Sequence, residues 1–281
     1  MHREESNVNR ITSADGTVIA YEFLGERDIG LAPLVVVGGA LSDRARMRRI
    51  SDALAEHVPV INYDRRGRGD SGAGGSFEVE RELEDLAALA DAAGGSMSLY
   101  GHSSGGALAL QAVLHGLPIE RLVMHDPPYV PEGDARARVA YHERLTTLVA
   151  EGRNGDAVAL FMALTGVPPE TIHSMRTEPS WAALERLGRS LPCDSAALDD
   201  VHGGMVPHGL ERATTATLVI VGDANPPFFL EAGRRLADRL PNARREVLEG
   251  EGHVVDAGKL APLVASFIAG GSAHTVPNGN R

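Results

Sequence analysis

Short apolar runs alternate with longer segments of helical spacing along most of the chain. Leu34–Val37 is a continuous apolar run, largely β-branched, as in a strand that is buried on both faces. Comparable strands are predicted at 58–63, 96–100, 121–125, 217–221 and 244–248, and helices at 44–57, 77–93, 107–114, 229–240 and 259–269. Two further strands, 10–13 and 18–23, flank the hairpin signal Asp15-Gly16. This alternation predicts an α/β fold with a doubly wound, mostly parallel sheet that binds ligands at the carboxyl ends of its strands.

One long segment interrupts the alternation. From 131 to 212 the pattern predicts only short helices, broken by residues such as Gly166, Pro168 and Pro192. About 80 residues without a strand in such a domain indicate a helical cap over the upper edge of the sheet. A second helical layer packed elsewhere is the alternative. We therefore expect a core of 1–130 and 213–281, with a cap inserted at 131–212. Both ends of the chain, 1–8 and 270–281, are polar and aperiodic, which predicts disorder.

Net charge and cysteine content exclude several classes of binding partner and metal site. The 281 residues carry a formal net charge of -11, which argues against nucleic acid and anionic membranes as partners. The partner that we expect is a small-molecule substrate. Cys193 is the single cysteine, which excludes an intrachain disulfide and a cysteine metal cluster. We expect neither a metal nor another cofactor. The N-terminus has no secretory signal, and no apolar run approaches the roughly 18 residues of a membrane helix. These features predict a cytoplasmic protein.

The segment Gly101-His102-Ser103-Ser104-Gly105 lies between a predicted strand and a predicted helix. A G-x-S-x-G motif in that context is a nucleophile elbow. The turn is so sharp that Ser103 must take a strained backbone conformation, and side chains at the two flanking glycines would collide with it. The helix that follows offers backbone N–H groups to a developing negative charge. The alternative is a glycine-rich turn with a solvated serine.

Three more motifs stand in order around the elbow. They are Gly38-Gly39-Ala40 after the third strand, Asp64-Arg65-Arg66-Gly67-Arg68-Gly69-Asp70-Ser71 after the fourth, and Gly250-Glu251-Gly252-His253 after the last. With the elbow, they make nearly the whole chain resemble the serine-nucleophile members of the α/β-hydrolase superfamily that carry a helical cap. The resemblance implies the α/β-hydrolase fold. It also implies that Ser103 is the nucleophile and that His253 is the base that activates it.

The third member of the implied catalytic triad has two candidates. Most members of the superfamily carry the acid after the seventh strand, where this chain has Asp223 and, at the usual acid position, Asn225. An amide cannot stabilise an imidazolium as a carboxylate does. Some members carry the acid after the sixth strand, and Asp126 stands there at the carboxyl end. We favour Asp126, keep Asp223 as the alternative acid, and leave open a site without an acid.

An oxyanion hole needs two backbone donors. The resemblance implies one from Ser104 and the other from Ala40, or from Gly39 if the register slips. Gly38 replaces the histidine that usually stands there in the superfamily and often braces this loop. The arginines between 65 and 68 could indicate a phosphate site, but a structural turn with arginine–carboxylate pairs fits their spacing better.

These motifs predict a serine hydrolase that cleaves a carboxylic ester, thioester or lactone through an acyl-enzyme. Two other functions remain open. One is a cofactor-free C–C hydrolase, or a lyase or cyclase, that acts on a polyketide-like metabolite at the same site. The other is a protein that binds a small molecule without chemistry, although pure binding has no need of a strained elbow.

Overall fold

A computed structural model of the protein describes residues 8–270 apart from 28 and 76. The predicted disordered ends lie almost entirely outside these residues. The described strands form one sheet in the order β1-β2-β4-β3-β5-β6-β7-β8. Their bounds are β1 Asn9–Thr12, β2 Val18–Leu24, β3 Leu34–Val37, β4 Val60–Tyr63, β5 Met97–His102, β6 Ile119–His125, β7 Ala216–Gly222 and β8 Ala243–Leu248.

Strands β3 to β8 are all parallel, and the hairpin β1–β2 joins them antiparallel through β4. The chain adds strands outward in both directions from β3, so the carboxyl ends of β3, β5, β6 and β7 lie together near the centre of the sheet. The predicted doubly wound, mostly parallel sheet is confirmed. Loops at this edge come from distant parts of the sequence, which makes it the natural place for a site.

Helices cover both faces of the sheet, and strand β3 shows why. Its side chains alternate, with Val36 in the cluster that contains Leu54, and Val37 in the cluster that contains Leu86. A strand buried on both faces needs the continuous apolar run that the sequence has at this point. Helices α1 (Arg44–Ala55) and α10 (Ala257–Ile268) cover the first face, and α2 (Val79–Ala92), α3 (Ser104–Leu114) and α9 (Pro227–Arg239) the second.

Between β6 and β7 the chain is helical, and we call residues 132–212 the helical insertion. It contains α4 (Ala135–Ala150), α5 (Asn154–Leu164), α6 (Pro169–Met175), α7 (Trp181–Gly188) and α8 (Leu191–Ala197), with single 3-10 turns at Glu132–Asp134, Asp200–His202 and Leu210–Arg212. The insertion has a hydrophobic cluster of its own around Leu145 and Trp181. Leu41, from the loop after β3, packs into the same cluster. Over the described ranges, no helix has both the length and the apolar character needed to cross a membrane.

Candidate active site

Ser103 lies in the turn between β5 and α3. Its backbone has φ 57 and ψ -128, a conformation that residues with a Cβ rarely adopt. The Ser103 N–H donates to the carbonyl of His125 at 2.8 Å, which ties the turn to the end of the neighbouring strand β6. Tertiary contacts thus hold the turn in this conformation.

The glycines around Ser103 are required by close backbone contacts. A Cβ at Gly105 would collide with the carbonyl of Val37, and a Cβ at Gly101 would collide with the backbone of Gly105. The loop after β3 is equally close, because a Cβ at Gly39 would lie 2.8 Å from the Cβ of Ser103. The loop predicted to supply an oxyanion donor therefore lies directly against Ser103.

His253 follows β8 and approaches the elbow from the carboxyl edge of the sheet. Its side chain is 38% exposed, and its Nδ1 lies 3.4 Å from Oδ2 of Asp126. The backbone carbonyl of His253 accepts a hydrogen bond from Nε2 of His102 at 3.0 Å, and the centroids of the two imidazole rings are 4.5 Å apart. His102 thus supports the loop that carries His253.

Ser103, His102 and His253 lie at the same edge of the sheet. The two predicted reacting groups among them are the Ser103 hydroxyl and the His253 imidazole. Over the part of the chain that the structure describes, no hydrogen bond links the Ser103 hydroxyl to an imidazole. The 3.4 Å between His253 and Asp126 is also longer than an optimal hydrogen bond. Catalytic contacts of this kind commonly tighten only when a substrate binds.

Asp126 follows β6 directly and its side chain is 0% exposed. Its Oδ1 accepts the N–H of Gly222 at 3.0 Å, and its Oδ2 accepts an N–H of the Asn225 side chain at 2.9 Å. Sequence reasoning named Asn225 only as an unsuitable acid. The structure shows it donating to the carboxylate that faces His253.

Asp223 has a different role in the structure. Its exposed carboxylate accepts the N–H of Gly250 at 2.7 Å and so fixes the turn that precedes the His253 loop. Among the described residues, Asp126 is the carboxylate within ion-pair distance of the His253 ring.

Sequence reasoning missed His125, the residue before Asp126. Its ring is fully buried, with Nδ1 2.7 Å from the hydroxyl of Tyr100 and Nε2 3.5 Å from Oδ2 of Asp126. Burial lowers the pKa of His125 to about 4, a shift that Asp126 opposes and His253 reinforces. Burial also raises the pKa of Tyr100 well above its usual value, so its hydroxyl stays protonated and donates to Nδ1. A neutral imidazole that accepts at Nδ1 carries its proton on Nε2. Among the described residues this Nε2 has no hydrogen-bond partner, and Oδ2 of Asp126 lies 3.5 Å from it.

Buried arginines hold the loop after β3. The carbonyl of Gly38 accepts from Nη1 of Arg65 at 3.0 Å, and the carbonyl of Gly39 accepts from Nη1 of Arg68 at 2.6 Å and from the Ser42 hydroxyl at 2.6 Å. In the described residues, no protein acceptor receives the N–H of Gly39 or of Ala40. The arginines therefore brace this loop, in which Gly38 has no side chain to do so.

The arginine partners differ from those nearest in sequence. Arg65 pairs with Glu82 and Asp194, Arg66 with Asp85 and Asp15, and Arg68 with Asp194. The neighbouring Asp64 and Asp70 instead bind Arg44. All three arginines are buried among carboxylates and carbonyls, which supports a structural turn and not a phosphate site.

Comparisons with known proteins agree with this geometry. A model of the alpha/beta hydrolase family matches residues 34–259. The crystal structure of an alpha/beta hydrolase from Sphaerobacter thermophilus is 43% identical to this chain, with a TM-score of 0.80, and the match covers 92% of this chain and 99% of that one. A search among curated proteins finds no match.

Two more distant structures share the fold. An esterase from Rhodococcus sp. is 23% identical with a TM-score of 0.64, and covers 93% of this chain and 98% of its own. An enol-lactonase from Burkholderia xenovorans is 20% identical with a TM-score of 0.64, and covers 93% of this chain and 98% of its own. The family match over most of the length, the sheet order and the elbow agree: this chain belongs to the alpha/beta hydrolase family and is a hydrolase enzyme.

Proposed function

We propose that this hydrolase cleaves a carboxylic ester, thioester or lactone of a small molecule through an acyl-enzyme on Ser103. The observation that carries the proposal is the strained serine beside a loop with free N–H groups, with His253 and the buried Asp126 at the same edge. The structural neighbours that are named as an esterase and an enol-lactonase act on bonds of this class, which supports the same choice.

In the proposed reaction, Nε2 of His253 accepts the proton of the Ser103 hydroxyl as Oγ attacks the carbonyl carbon. The Asp126 carboxylate stabilises the imidazolium that forms. The N–H groups of Ser104 and of Ala40 or Gly39 stabilise the tetrahedral oxyanion. Collapse expels the alcohol or thiol, which takes the proton from His253. A water molecule then attacks the acyl-enzyme by the same route and releases the acid.

Asp126 is our choice as the acid over Asp223. Its carboxylate faces the His253 ring and is held by Gly222 and Asn225, so its orientation is set before a substrate arrives. The Asp223 carboxylate is engaged by the Gly250 N–H. We also propose that residues 131–212 act as a cap over the site, since Leu41 beside the elbow packs into their hydrophobic cluster. The cytoplasmic location stays a prediction from sequence.

The test is active-site labelling and an ester screen. We expect p-nitrophenyl esters of increasing chain length to be hydrolysed, and a fluorophosphonate to add covalently to Ser103, located by mass spectrometry. Ser103→Ala should abolish both the turnover and the label. Ser174→Ala, at an exposed serine of α6, should change neither. Turnover without an acyl-enzyme would overturn the proposal and favour the C–C hydrolase or lyase alternative, and ligand binding without any product would favour the binding protein.

The acid is tested by two matched amides. Asp126→Asn should lower kcat by roughly 10³- to 10⁴-fold, because the amide disturbs the imidazole tautomer and removes the negative charge. Asp223→Asn should stay within a few-fold of the parent, because an amide oxygen still accepts the Gly250 N–H. A large loss in Asp223→Asn alone would show that the acid assignment is wrong.

A further inference from the structure

We propose that Asp194, on helix α8 of the helical insertion, is a positioning residue that orients the oxyanion hole. The inference rests on the proposed function, because it deepens the role of the same site. It gives the insertion an indirect part in transition-state stabilisation, through the groups that hold the oxyanion donors.

One buried carboxylate reaches both sides of the predicted oxyanion hole. Oδ1 of Asp194 accepts the Ser104 hydroxyl at 2.7 Å and Nη1 of Arg65 at 2.6 Å, and Oδ2 accepts Nη2 of Arg68 at 2.8 Å. Ser104 is the residue whose N–H is the first predicted donor. Arg65 and Arg68 hold the loop that carries the second donor. Asp194 therefore contacts the residue of the first donor and both arginines that hold the loop of the second.

The arginines set the direction of the loop N–H groups. In a trans peptide unit the C=O and the following N–H point in opposite directions. The carbonyl of Gly38 is bound by Arg65, which turns the N–H of Gly39 the other way; the carbonyl of Gly39 is bound by Arg68, which does the same for Ala40. Two consecutive glycines would otherwise let these peptide units rotate freely.

Two further contacts join the insertion to this loop and to the arginine that holds it. Leu41 packs into the cluster of the insertion and has φ 53. Nε of Arg68 donates to the hydroxyl of Ser190, directly before helix α8, at 3.0 Å. The oxyanion loop, the start of α3 and helix α8 thus form one packed unit.

The charges explain why Asp194 is needed as an anion. Burial acts to raise the pKa of the Asp194 carboxyl, but Arg68 and Arg65 outweigh it and lower the pKa below its usual value. Its charge, with that of Glu82, balances the two buried guanidinium groups. With an amide at this position, one of the two negative charges that neutralise the arginines is removed. The guanidinium groups are then no longer oriented towards the loop carbonyls by a fixed anion.

The experiment compares Asp194→Asn with Asp200→Asn, a matched change at another buried aspartate of the insertion. Asp200 accepts from Ser195 and lies near Arg138. Within the described part of the chain, no hydrogen bond or ion pair joins it to the elbow or the oxyanion loop. The readouts are kcat and KM on a p-nitrophenyl ester, and the inhibition constant of a trifluoromethyl ketone that forms a tetrahedral adduct with a serine.

We expect Asp194→Asn to lower kcat by about 10- to 100-fold, a part of the 10²- to 10³-fold effect of deleting an oxyanion donor. KM should change by less than about 3-fold, and the trifluoromethyl ketone should bind more weakly by a factor close to the loss in kcat/KM. Asp200→Asn should not combine a lower kcat with an unchanged KM. Ser104→Ala keeps its N–H but loses the bond to Asp194, so it should lower kcat in the same direction, and the double variant should be less than additive.

Equal kinetic losses in Asp194→Asn and Asp200→Asn, or a loss confined to KM, would overturn the inference. If Asp194→Asn does not fold, parental kcat and ketone affinity in Ser104→Ala would overturn it as well. A parent enzyme that neither turns over esters nor takes up the phosphonate at Ser103 would instead refute the proposed function.

Discussion

Gly105 has no room for a side chain. A Cβ there would overlap the carbonyl oxygen of Val37, which is part of the central strand β3 and cannot move without disturbing its ladders to β4 and β5. Gly101 has the same restriction against the backbone of Gly105 and Gly106. The sequence alone identified these glycines, because a turn of this kind has a steric requirement that is local to the motif.

At this scale we expect Gly105→Ala to lower the free energy of unfolding by about 2 to 3 kcal/mol or more, since overpacking against backbone leaves no flexible neighbour to yield. Gly133→Ala is the control, because a Cβ at Gly133 meets nothing within 4 Å, and it should stay within about 0.5 kcal/mol of the parent. Denaturant unfolding measures both. Equal denaturation midpoints for the two variants would show that β3 shifts enough to make room for the added methyl group.

Helix α2 supports the turn after β4 through buried ion pairs. Glu82 binds Arg65 with two hydrogen bonds of 2.7 Å each, and Asp85 binds Arg66 in the same manner at 2.8 and 2.7 Å. The sequence placed arginines and aspartates together between 64 and 70 and indicated a structural turn with arginine–carboxylate pairs. The structure pairs them across elements, because each buried charge takes whichever partner the packing of α2 and the sheet brings within reach.

At the scale of elements, Glu82→Gln should lower the free energy of unfolding by on the order of 3 kcal/mol, since the amide leaves Arg65 with an incompletely balanced buried charge. Glu80→Gln changes an exposed carboxylate on the same helix and should have an effect below about 0.5 kcal/mol. The comparison uses denaturant unfolding at one pH. Similar effects in both variants would contradict a structural role for the Arg65–Glu82 pair.

The molecule as a whole should lose stability in acid because it buries neutral imidazoles. Burial lowers the pKa of His125 to about 4 and holds the pKa of His102 well below its usual value. In the unfolded chain, a histidine has a pKa near 6.5. Between these values the unfolded chain binds more protons than the native one, so stability falls as the pH falls. The groups that face His125 are Tyr100, Asp126, His102 and His253.

We expect the free energy of unfolding to fall by on the order of 3 kcal/mol between pH 7 and pH 4 from His125 alone. His125→Gln should flatten this profile, and the remaining slope comes from His102 and from carboxylates such as Asp194, whose folded pKa is lowered. His57→Gln, at an exposed histidine of the loop before β4, should leave the profile unchanged. Parallel profiles for the His125 variant and the parent would show that His125 does not carry the effect.

The sequence by itself determined the doubly wound sheet, from its apolar periodicity, and the elbow around Ser103, from the spacing of a short motif. The order of serine, acid and histidine stays a prediction, and it rests on the family resemblance. The sequence left two carboxylates as candidates for the acid.

Only the tertiary structure decided that Asp126 faces His253, that Asn225 donates to Asp126, and that Asp194 reaches Ser104 and Arg65. These last three contacts join residues 99, 90 and 129 positions apart. Such pairs are selected by which elements the hydrophobic core packs together, and a buried charge then binds the nearest donor. Neither the packing of the elements nor the partner of a buried charge can be predicted from the spacing of residues within a short segment.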